Sequence, residues 1–507
     1  MANAIVPRSS IIMESFVGPD PLPETGEECE HPLLMPEIAS RIIANFSILS
    51  TYRVVSAKVC TAWEQASLDK LTLKIMMENT KSVVVREIKQ WLDTYKEAFG
   101  ETLSFEGMIG KFEHLKVLNL SDSKSTNDKR IGKVAAIAPS SIKELGLTRT
   151  AIKNPCFKGF HSIEKIVMRS CRKLESLSFS CLPFLKMLDL SSCNSLTDDH
   201  IKQLWNLNSL EFLSLNFCAG LQSPTFKELP SLIRLDMMSC SGLSSPFFKN
   251  LVSLKVINLL GCLNLGYPYF ADLNSLEELI LTGCERLPDI FYSNLISLKT
   301  VKLEDCKNLN EVSFEKIESL ENIQFKNNDN LKKIYLSNLP VLHTLGNFET
   351  LLISLELEDL STFSPSLRLK DIHSLQKVSL KKLPTLEDIR FINLDSLKQD
   401  QLHLQELPML RKIAIVNCNQ LTSLDLSRFS SLEKIYLKEN CALTDVTVKR
   451  LSRLKILDLT WSCALRHPHL HRLPALESLH LRSVPRVGKM RIFKQLFPTS
   501  LRLLNQF

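Results

Sequence analysis

Four histidines near the C-terminus have the residue type and spacing that metal chemistry would use. His467, His469 and His471 alternate in the segment RHPHLHR, and His480 lies on the next predicted strand. Structural zinc sites need four converging ligands, most often imidazole and thiolate groups. The nearest thiol, Cys463, is expected to point into the core, so no complete ligand set remains. We therefore predict no metal site and no cofactor.

The sequence carries no recognisable catalytic motif. Glycine-rich phosphate loops, the H-E-x-x-H pair of zinc proteases and the G-x-S-x-G nucleophile turn do not occur. Only 15 of the 507 residues are glycine, and glycine is the residue that lets a backbone approach phosphate groups closely. We therefore predict that the chain is not an enzyme.

The charge pattern argues against a nucleic acid or a membrane as the partner. The chain has 62 Lys and Arg against 55 Asp and Glu, and both signs alternate along most of its length. This is typical of a solvated surface rather than of a basic nucleic-acid footprint. No run of 18 apolar residues occurs, although a membrane span requires about that length. We expect neither a membrane anchor nor bound nucleic acid.

Most cysteines recur at one position of a repeating pattern rather than in pairs. Residues one repeat apart in stacked turns form a ladder in which each has two equivalent neighbours, which favours free buried thiols over disulfides. This predicts a reducing compartment, the cytosol or the nucleus, or export into a host cell if the source is bacterial. The cysteines at this position are Cys171, Cys193, Cys218, Cys240, Cys262, Cys284, Cys306 and Cys418.

Self-similarity dominates the sequence after about residue 111. The leading leucines Leu210, Leu232, Leu254, Leu276 and Leu298 are each 22 residues apart. Their segments, such as LEFLSLNFC and LKVINLLGC, resemble the strand segment of leucine-rich repeats, L-x-x-L-x-L-x-x-N/C. The last two leucines share one strand face, so each unit buries that face by stacking on the next. The Cys or Asn at the ninth position is expected to point inward and to hydrogen-bond the turn.

The leucine-rich-repeat resemblance implies an α/β solenoid over residues 111–507, a horseshoe of about 17 repeats with a parallel β-sheet on its concave face. Eleven-residue steps between about 320 and 432 predict that the outer wall is also strand-like there. In successive repeats an aromatic residue follows a leucine at a constant distance along the chain. This second apolar ladder predicts an internal aromatic spine along the outer wall. Its members are Phe226, Phe248, Phe270, Tyr292 and Phe314.

The N-terminal part differs in composition from the repeats. Residues 1–30 are rich in Pro, Gly and Glu and predict a disordered tail. Residues 31–75 predict three short helices that cannot bury much core alone. Residues 76–110 contain an amphipathic segment, 82–99, that predicts a linker helix covering the first repeat. One interpretation of 31–75 is a helical cap, which solenoids require.

The segment 31–75 also resembles an F-box, whose pattern is L-P-x-E, an Ile about five residues later, and then V-C-x-x-W. Met35 stands where that family has Pro, and the stretch between Phe46 and Val59 is about two residues longer than in the family. The resemblance implies that this segment docks on a Skp-family adaptor and thereby on a cullin. The residues implied in adaptor binding are Leu34, Pro36, Glu37, Ile38, Ile42, Phe46, Val59, Cys60 and Trp63.

Two groups of residues between the inward leucines are candidates for contact with a substrate protein. Trp, Tyr and Arg are the types that most often anchor protein interfaces, which favours a group near the C-terminus. A contiguous exposed apolar patch is the second candidate. The C-terminal group is Tyr436, Lys438, Asp458, Trp461, His480 and Arg482; the apolar group is Phe212, Phe217, Met238 and Leu260.

The F-box resemblance followed by repeats predicts a non-catalytic substrate receptor of an SCF-type ubiquitin ligase. Such a subunit acts by position, because it raises the effective concentration of substrate lysines near the ubiquitin-charged enzyme. The alternative is a leucine-rich-repeat scaffold that binds partner proteins without a ubiquitin role, and a metal-dependent hydrolase around His467 is a third hypothesis. The sequence leaves the identity of the substrate protein open.

Overall fold

The computed structural model describes residues 114–484, apart from 139, 180–181, 294 and 346–350, together with Ile109 and two short strands, Ser82–Val84 and Arg502–Leu504. The chain divides into two compact units, Met1–Met76 and Met77–Phe507. All described residues belong to the second unit. The predicted disordered tail and the F-box-like segment therefore lie outside the described residues, as does most of the predicted linker.

Parallel strands from successive turns form one side of a solenoid, which we call the first wall. It consists of a 12-stranded and a 7-stranded sheet. The strands of the 12-stranded sheet are Ser82–Val84, Val117–Asn119, Glu144–Gly146, Lys165–Val167, Met187–Asp189, Phe212–Ser214, Arg234–Asp236, Val256–Asn258, Glu278–Ile280, Thr300–Glu304, Asn322–Lys326 and Thr344–Leu345. Those of the 7-stranded sheet are Ser366–Lys370, Asp388–Ile392, Lys412–Val416, Lys434–Tyr436, Ile456–Asp458, Ser478–His480 and Arg502–Leu504.

The in-register pairing of these strands explains the 22-residue period of the sequence. Leu235 pairs with Ile257, which in turn pairs with Leu279, and all three side chains are fully buried. Because side chains alternate between the two faces of a strand, their neighbours point away from the core. Each fully buried Leu or Ile contributes about 1.5–3 kcal/mol relative to exposure, and stacking repeats this gain in every turn.

A second wall of parallel strands lies in the other half of the turns from Thr225 onward and encloses the core there. It contains two 3-stranded sheets and one 6-stranded sheet. The prediction of a strand-like outer wall between 320 and 432 is confirmed, and the strands extend beyond that range on both sides. They are Thr225–Phe226, Phe247–Lys249 and Tyr269–Ala271; then Asp289–Ser293, Glu311–Glu315, Lys333–Ser337, Ser354–Glu358, Lys377–Lys381 and Leu402–Gln405; then Ser423–Asp425, Asp445–Lys449 and His467–His471.

Helices are few in the described residues. Helix α1 spans Asp128–Ile137, helix α2 spans Asp198–Lys202, and a 3-10 helix spans Gln399–Gln401. Helix α1 begins after Asn127, whose side chain accepts a hydrogen bond from the Arg130 amide and so satisfies a free helix N–H group. None of the described helices is long and apolar enough to cross a bilayer.

The predicted aromatic spine is confirmed along the second wall. The Phe248 ring stacks on Phe226 at 5.4 Å and on Phe270 at 5.3 Å between ring centroids. Tyr292 continues the series with an edge contact to Phe270 at 5.3 Å and a tilted contact to Phe314 at 5.9 Å. Rings this close attract one another beyond their buried area. Phe226, Phe248 and Phe314 of the spine are fully buried in the core, whereas Phe270 and Tyr292 are half-buried.

The predicted ladder of buried thiols is confirmed as well. In consecutive turns each thiol donates to a carbonyl oxygen of the preceding turn, as Cys240 does to Leu215 at 3.1 Å and Cys262 to Met237 at 3.1 Å. Burial raises the pKa of Cys306 to about 12, so the thiol stays protonated and keeps its donor at neutral pH. The members Cys171, Cys193, Cys218, Cys240, Cys262, Cys284, Cys306 and Cys418 are all buried and free.

The structure corrects two expectations from the sequence. Ser82–Val84 is a strand paired in parallel with Val117–Asn119, not the first turn of the predicted helix 82–99, and its β-branched valines favour a strand; the rest of that predicted helix lies outside the described residues. Cys463 is exposed instead of pointing into the core, because Ser462 occupies the ninth position of that repeat and donates to the Leu437 carbonyl at 2.7 Å.

Candidate functional site

Three neighbouring strands of the first wall bring together the predicted C-terminal group. Tyr436 pairs in register with Asp458, and Asp458 pairs with His480. The turn after each strand carries the remaining members, and the Trp461 amide donates to the Arg482 carbonyl at 2.9 Å. We call these residues the C-terminal surface: Tyr436, Lys438, Asp458, Trp461, His480 and Arg482.

Asp458 is the buried anchor of the C-terminal surface. Its carboxylate accepts hydrogen bonds from the backbone amide and hydroxyl of Thr460 and lies 2.9 Å from the Lys438 ammonium. Burial opposes its ionisation, but the hydrogen bonds and the Lys438 charge outweigh burial, so the pKa of Asp458 is lowered. A charged carboxylate held in this way fixes the position of Lys438 at the surface.

Cations lie over both aromatic rings of the C-terminal surface. The Lys412 and Lys438 ammonium groups lie 5.6 Å and 5.8 Å from the centroid of the Tyr436 ring. The Arg482 guanidinium lies 5.5 Å from the Trp461 ring. These distances are within the range of cation–π attraction. Arg482 is exposed.

Trp461 has an unfavourable backbone conformation, and its ring lies at the surface. Its φ is +66°, and its side chain is 45% exposed. The equivalent position of many other turns is Asp, Asn or Gly, as at Asn327 and Gly283, and these types adopt positive φ most easily; other turns have Ser, Arg or Glu there. Phe217 occupies the same position with φ +61° and is 49% exposed. Most turns of the solenoid have positive φ at this position, so the conformation is a property of the repeat, and Trp461 and Phe217 differ from the others by their bulky, exposed rings.

The predicted apolar group is brought together only in part. The Phe217 amide donates to the Met238 carbonyl at 2.7 Å, and the next turn places Leu260 at the position that Met238 occupies. Phe212 lies at the start of its strand, where its register partners are Met187 and Arg234. Phe217 and Leu260 are exposed, whereas Phe212 and Met238 are half-buried. The four residues therefore do not form one continuous apolar patch.

Beside the C-terminal surface the structure shows a feature that the sequence prediction missed. A shallow open cleft is lined by Asn417, Glu439, Cys441, Trp461 and Cys463. Both cysteines are exposed and free. The signal was present in the sequence, because the identical triplet Cys-Ala-Leu follows the ninth position of two successive repeats.

The histidines considered for metal binding lie on different walls. His467, His469 and His471 belong to a strand of the second wall, whereas His480 belongs to the first wall. His480 therefore does not lie on the same sheet as the other three histidines. Among the residues that the structure describes, no group of three or more His, Cys, Asp or Glu side chains is arranged to hold a metal.

Comparison with known proteins gives three structural likenesses, each 14% identical in sequence. A leucine-rich repeat protein from Bacteroides ovatus ATCC 8483 matches with a TM-score of 0.27, covering 78% of this chain and 85% of that one. The plant peptide hormone receptor RGFR1 in complex with RGF2 gives a TM-score of 0.17, covering 79% and 92%. The leucine-rich-repeat ectodomain of the receptor kinase GASSHO1/SCHENGEN3 from Arabidopsis thaliana, in complex with CASPARIAN STRIP INTEGRITY FACTOR 2, gives 0.19, covering 74% and 68%.

No protein-family model and no curated protein matches the sequence. The class of the fold is defined by the chain itself. The 22-residue leucine pattern, the parallel in-register strands and the inward Cys or Asn at the ninth position together make it a leucine-rich-repeat solenoid.

Proposed function

We propose that this protein is a non-catalytic receptor that binds a partner protein through the C-terminal surface. The supporting observation is the exposed Trp461 ring, held at φ +66° with the Arg482 guanidinium over it. Aromatic and arginine side chains anchor most protein interfaces, and an arginine can bind a partner carboxylate with two hydrogen bonds. The partner would present an acidic side chain to Arg482 and an apolar or aromatic group to Trp461.

We further propose that the receptor belongs to an SCF-type ubiquitin ligase, with the segment 31–75 bound to a Skp-family adaptor and through it to a cullin. The support is the F-box-like pattern, in particular Glu37 and the Val59-Cys60-x-x-Trp63 run. The protein would contribute no chemical step. The protein would hold the partner so that the partner's lysines lie close to the ubiquitin-charged enzyme. This raises the effective concentration of those lysines at the enzyme.

A pair of reciprocal variants tests the two proposals separately. Glu37→Ala with Trp63→Ala should abolish co-purification with the Skp adaptor and leave partner binding unchanged. Trp461→Ala with Arg482→Ala should do the opposite. Both are measured by affinity purification of the full-length chain, followed by quantitative mass spectrometry of adaptor and partner peptides.

The alternative is a leucine-rich-repeat scaffold without a ubiquitin role. It is supported by the position of the C-terminal surface, whose six residues all lie in the repeats. Partner binding by a wild-type chain that recovers no adaptor would support this alternative and exclude the ligase proposal.

A further inference from the structure

We propose that Cys441 and Cys463 form a surface dithiol that a small disulfide, such as oxidised glutathione, converts reversibly into a disulfide between neighbouring turns. The two residues occupy equivalent positions, each directly after an inward-pointing side chain, Asn440 or Ser462. Both thiols are exposed, unlike the ladder of buried thiols in the core, so an oxidant in solution can reach them.

The backbone holds the two cysteines at a separation that a disulfide can bridge. Tyr436 pairs with Asp458 before them, and Asp445 pairs with His467 after them, so both flanks are locked in register. Neighbouring strands lie about 4.8 Å apart. Disulfides join residues whose Cα atoms are about 4.4–6.8 Å apart, so the crosslink requires no large backbone movement.

The two thiols already converge on one atom. Cys441 Sγ lies 3.7 Å and Cys463 Sγ lies 3.4 Å from the carbonyl oxygen of Trp461. The pKa of Cys463 is raised, mainly by partial desolvation and to a smaller extent by the adjacent Cys441. The thiolate is the reactive form of a cysteine. Because the pKa of Cys463 is raised, we expect disulfide formation to accelerate as the pH rises towards and above that pKa.

The reaction is thiol–disulfide exchange and needs no metal. The thiolate of one cysteine attacks a sulfur of the small disulfide, forms a mixed disulfide and releases one small thiol. The thiolate of the other cysteine then attacks the protein sulfur of the mixed disulfide and releases the second small thiol. The protein dithiol is oxidised by two electrons, the small disulfide is reduced to two thiols, and small thiol in excess reverses the reaction.

The crosslink would change the C-terminal surface, and this consequence rests on the proposed function. Both thiol hydrogens that the Trp461 carbonyl now accepts are lost when the disulfide forms. The turn that carries Trp461 between Cys441 and Cys463 must then adjust, which moves the ring relative to Arg482. We expect the oxidised protein to bind the partner about tenfold more weakly, a change of about 1.4 kcal/mol, and reduction to restore binding.

Peptide mapping of the full-length protein tests the dithiol without any partner. The protein is incubated with mixtures of oxidised and reduced glutathione, alkylated and digested with trypsin. Cleavage after Lys and Arg places Cys441 in the peptide 439–449 and Cys463 in the peptide 456–466, each with one cysteine. The expected product is the crosslinked pair of these peptides, which disappears with excess reduced glutathione and forms faster at higher pH.

Matched variants complete the test. Cys441→Ser should leave Cys463 as a mixed disulfide with glutathione and give no crosslink, whereas Cys156→Ser, which removes an exposed cysteine elsewhere, should leave the crosslink unchanged. Independent glutathione adducts on Cys441 and Cys463 of the wild-type chain, without the crosslinked pair, would overturn the proposal. If the crosslink forms normally but partner binding is unchanged, the proposed disulfide formation stands and only its effect on the C-terminal surface is rejected.

Discussion

The Lys438 ammonium lies 2.9 Å from the Asp458 carboxylate, which is only 6% exposed, while the lysine side chain is 40% exposed. The buried member of the pair therefore positions the exposed one. Asp458 also receives two hydrogen bonds from Thr460, one from the backbone and one from the hydroxyl. This arrangement connects the stability of two adjacent turns with the geometry of the C-terminal surface.

Asp458→Asn should destabilise the protein by about 1.5–3 kcal/mol at neutral pH, since it weakens hydrogen bonds to a charged group. The folded pKa of Asp458 lies below its unfolded value, so the stabilisation is fully present above the unfolded value of about 3.9. It is lost as the pH falls through the lower, folded pKa. Urea unfolding of both proteins between pH 7 and pH 2.5 measures this.

Asp329→Asn is the control for this prediction, because Asp329 is exposed in a turn of the same solenoid and its replacement should change stability by less than about 0.5 kcal/mol. Equal differences between wild type and Asp458→Asn at every pH would show that the charge of Asp458 does not stabilise the fold.

Asn440 should contribute more to stability than the cysteines at the same position of other turns. Its amide donates to the Ile415 carbonyl at 2.7 Å and accepts from the Cys418 amide at 2.8 Å, and both contacts are buried. Asn440→Ala leaves two buried backbone groups unpaired, which costs about 2–4 kcal/mol. Asn440→Cys restores the donor alone and should cost about half as much. Chemical denaturation measures both, and equal losses in the two variants would contradict the donor role.

Trp461→Asn should stabilise the protein and weaken partner binding. Asn adopts positive φ more easily than Trp, so the free energy of unfolding should rise by about 0.5–1 kcal/mol. Loss of an interface anchor should reduce partner affinity at least tenfold, or about 1.4 kcal/mol. Ser483→Asn, at φ +57° in the next turn, is the control: it introduces the same favourable residue type without removing a ring, so it should stabilise the protein by at most about 0.5 kcal/mol and leave partner affinity unchanged. A destabilised Trp461→Asn protein would indicate that the ring stabilises the turn instead.

Phe248→Ala should be strongly destabilising because it interrupts the aromatic spine. The ring is fully buried and stacked on both sides, and truncation of a buried phenylalanine costs about 3–5 kcal/mol. The adjacent Phe247 points outward from the same strand and stacks on Tyr269 at 4.6 Å. Phe247→Ala should cost about 1 kcal/mol. Thermal unfolding distinguishes them, and similar losses would refute the assignment of the spine to the core.

Much of the fold could be predicted because the period of the sequence equals the period of the structure. The spacing of Leu232, Leu254 and Leu276 predicts stacked turns, since each unit must bury its apolar face against the next. The constant offset of Phe226 and Phe248 predicts a stacked spine for the same reason. The 11-residue steps predict strands on the outer wall, although not their full extent from Thr225 to His471.

The sequence predicted which residues form the C-terminal surface but not how their side chains are arranged. Residues one turn apart, such as Tyr436 and Asp458, must be neighbours in a solenoid, so the repeat brings them together. Which side chains carry an interface also depends on backbone conformation. The positive φ of Trp461 follows from the tight turn at the eighth position of the repeat, and that turn is set by the hydrogen bonds between adjacent turns.

The sequence alone determined the repeat unit, its inward leucines, its buried thiols and its aromatic spine, because these depend only on spacing along the chain. Tertiary structure decided which of two consecutive small residues points inward, Ser462 or Cys463. The hydroxyl of Ser462 reaches the Leu437 carbonyl of the preceding turn, and this contact, formed only when the turns stack, leaves Cys463 at the surface beside Cys441.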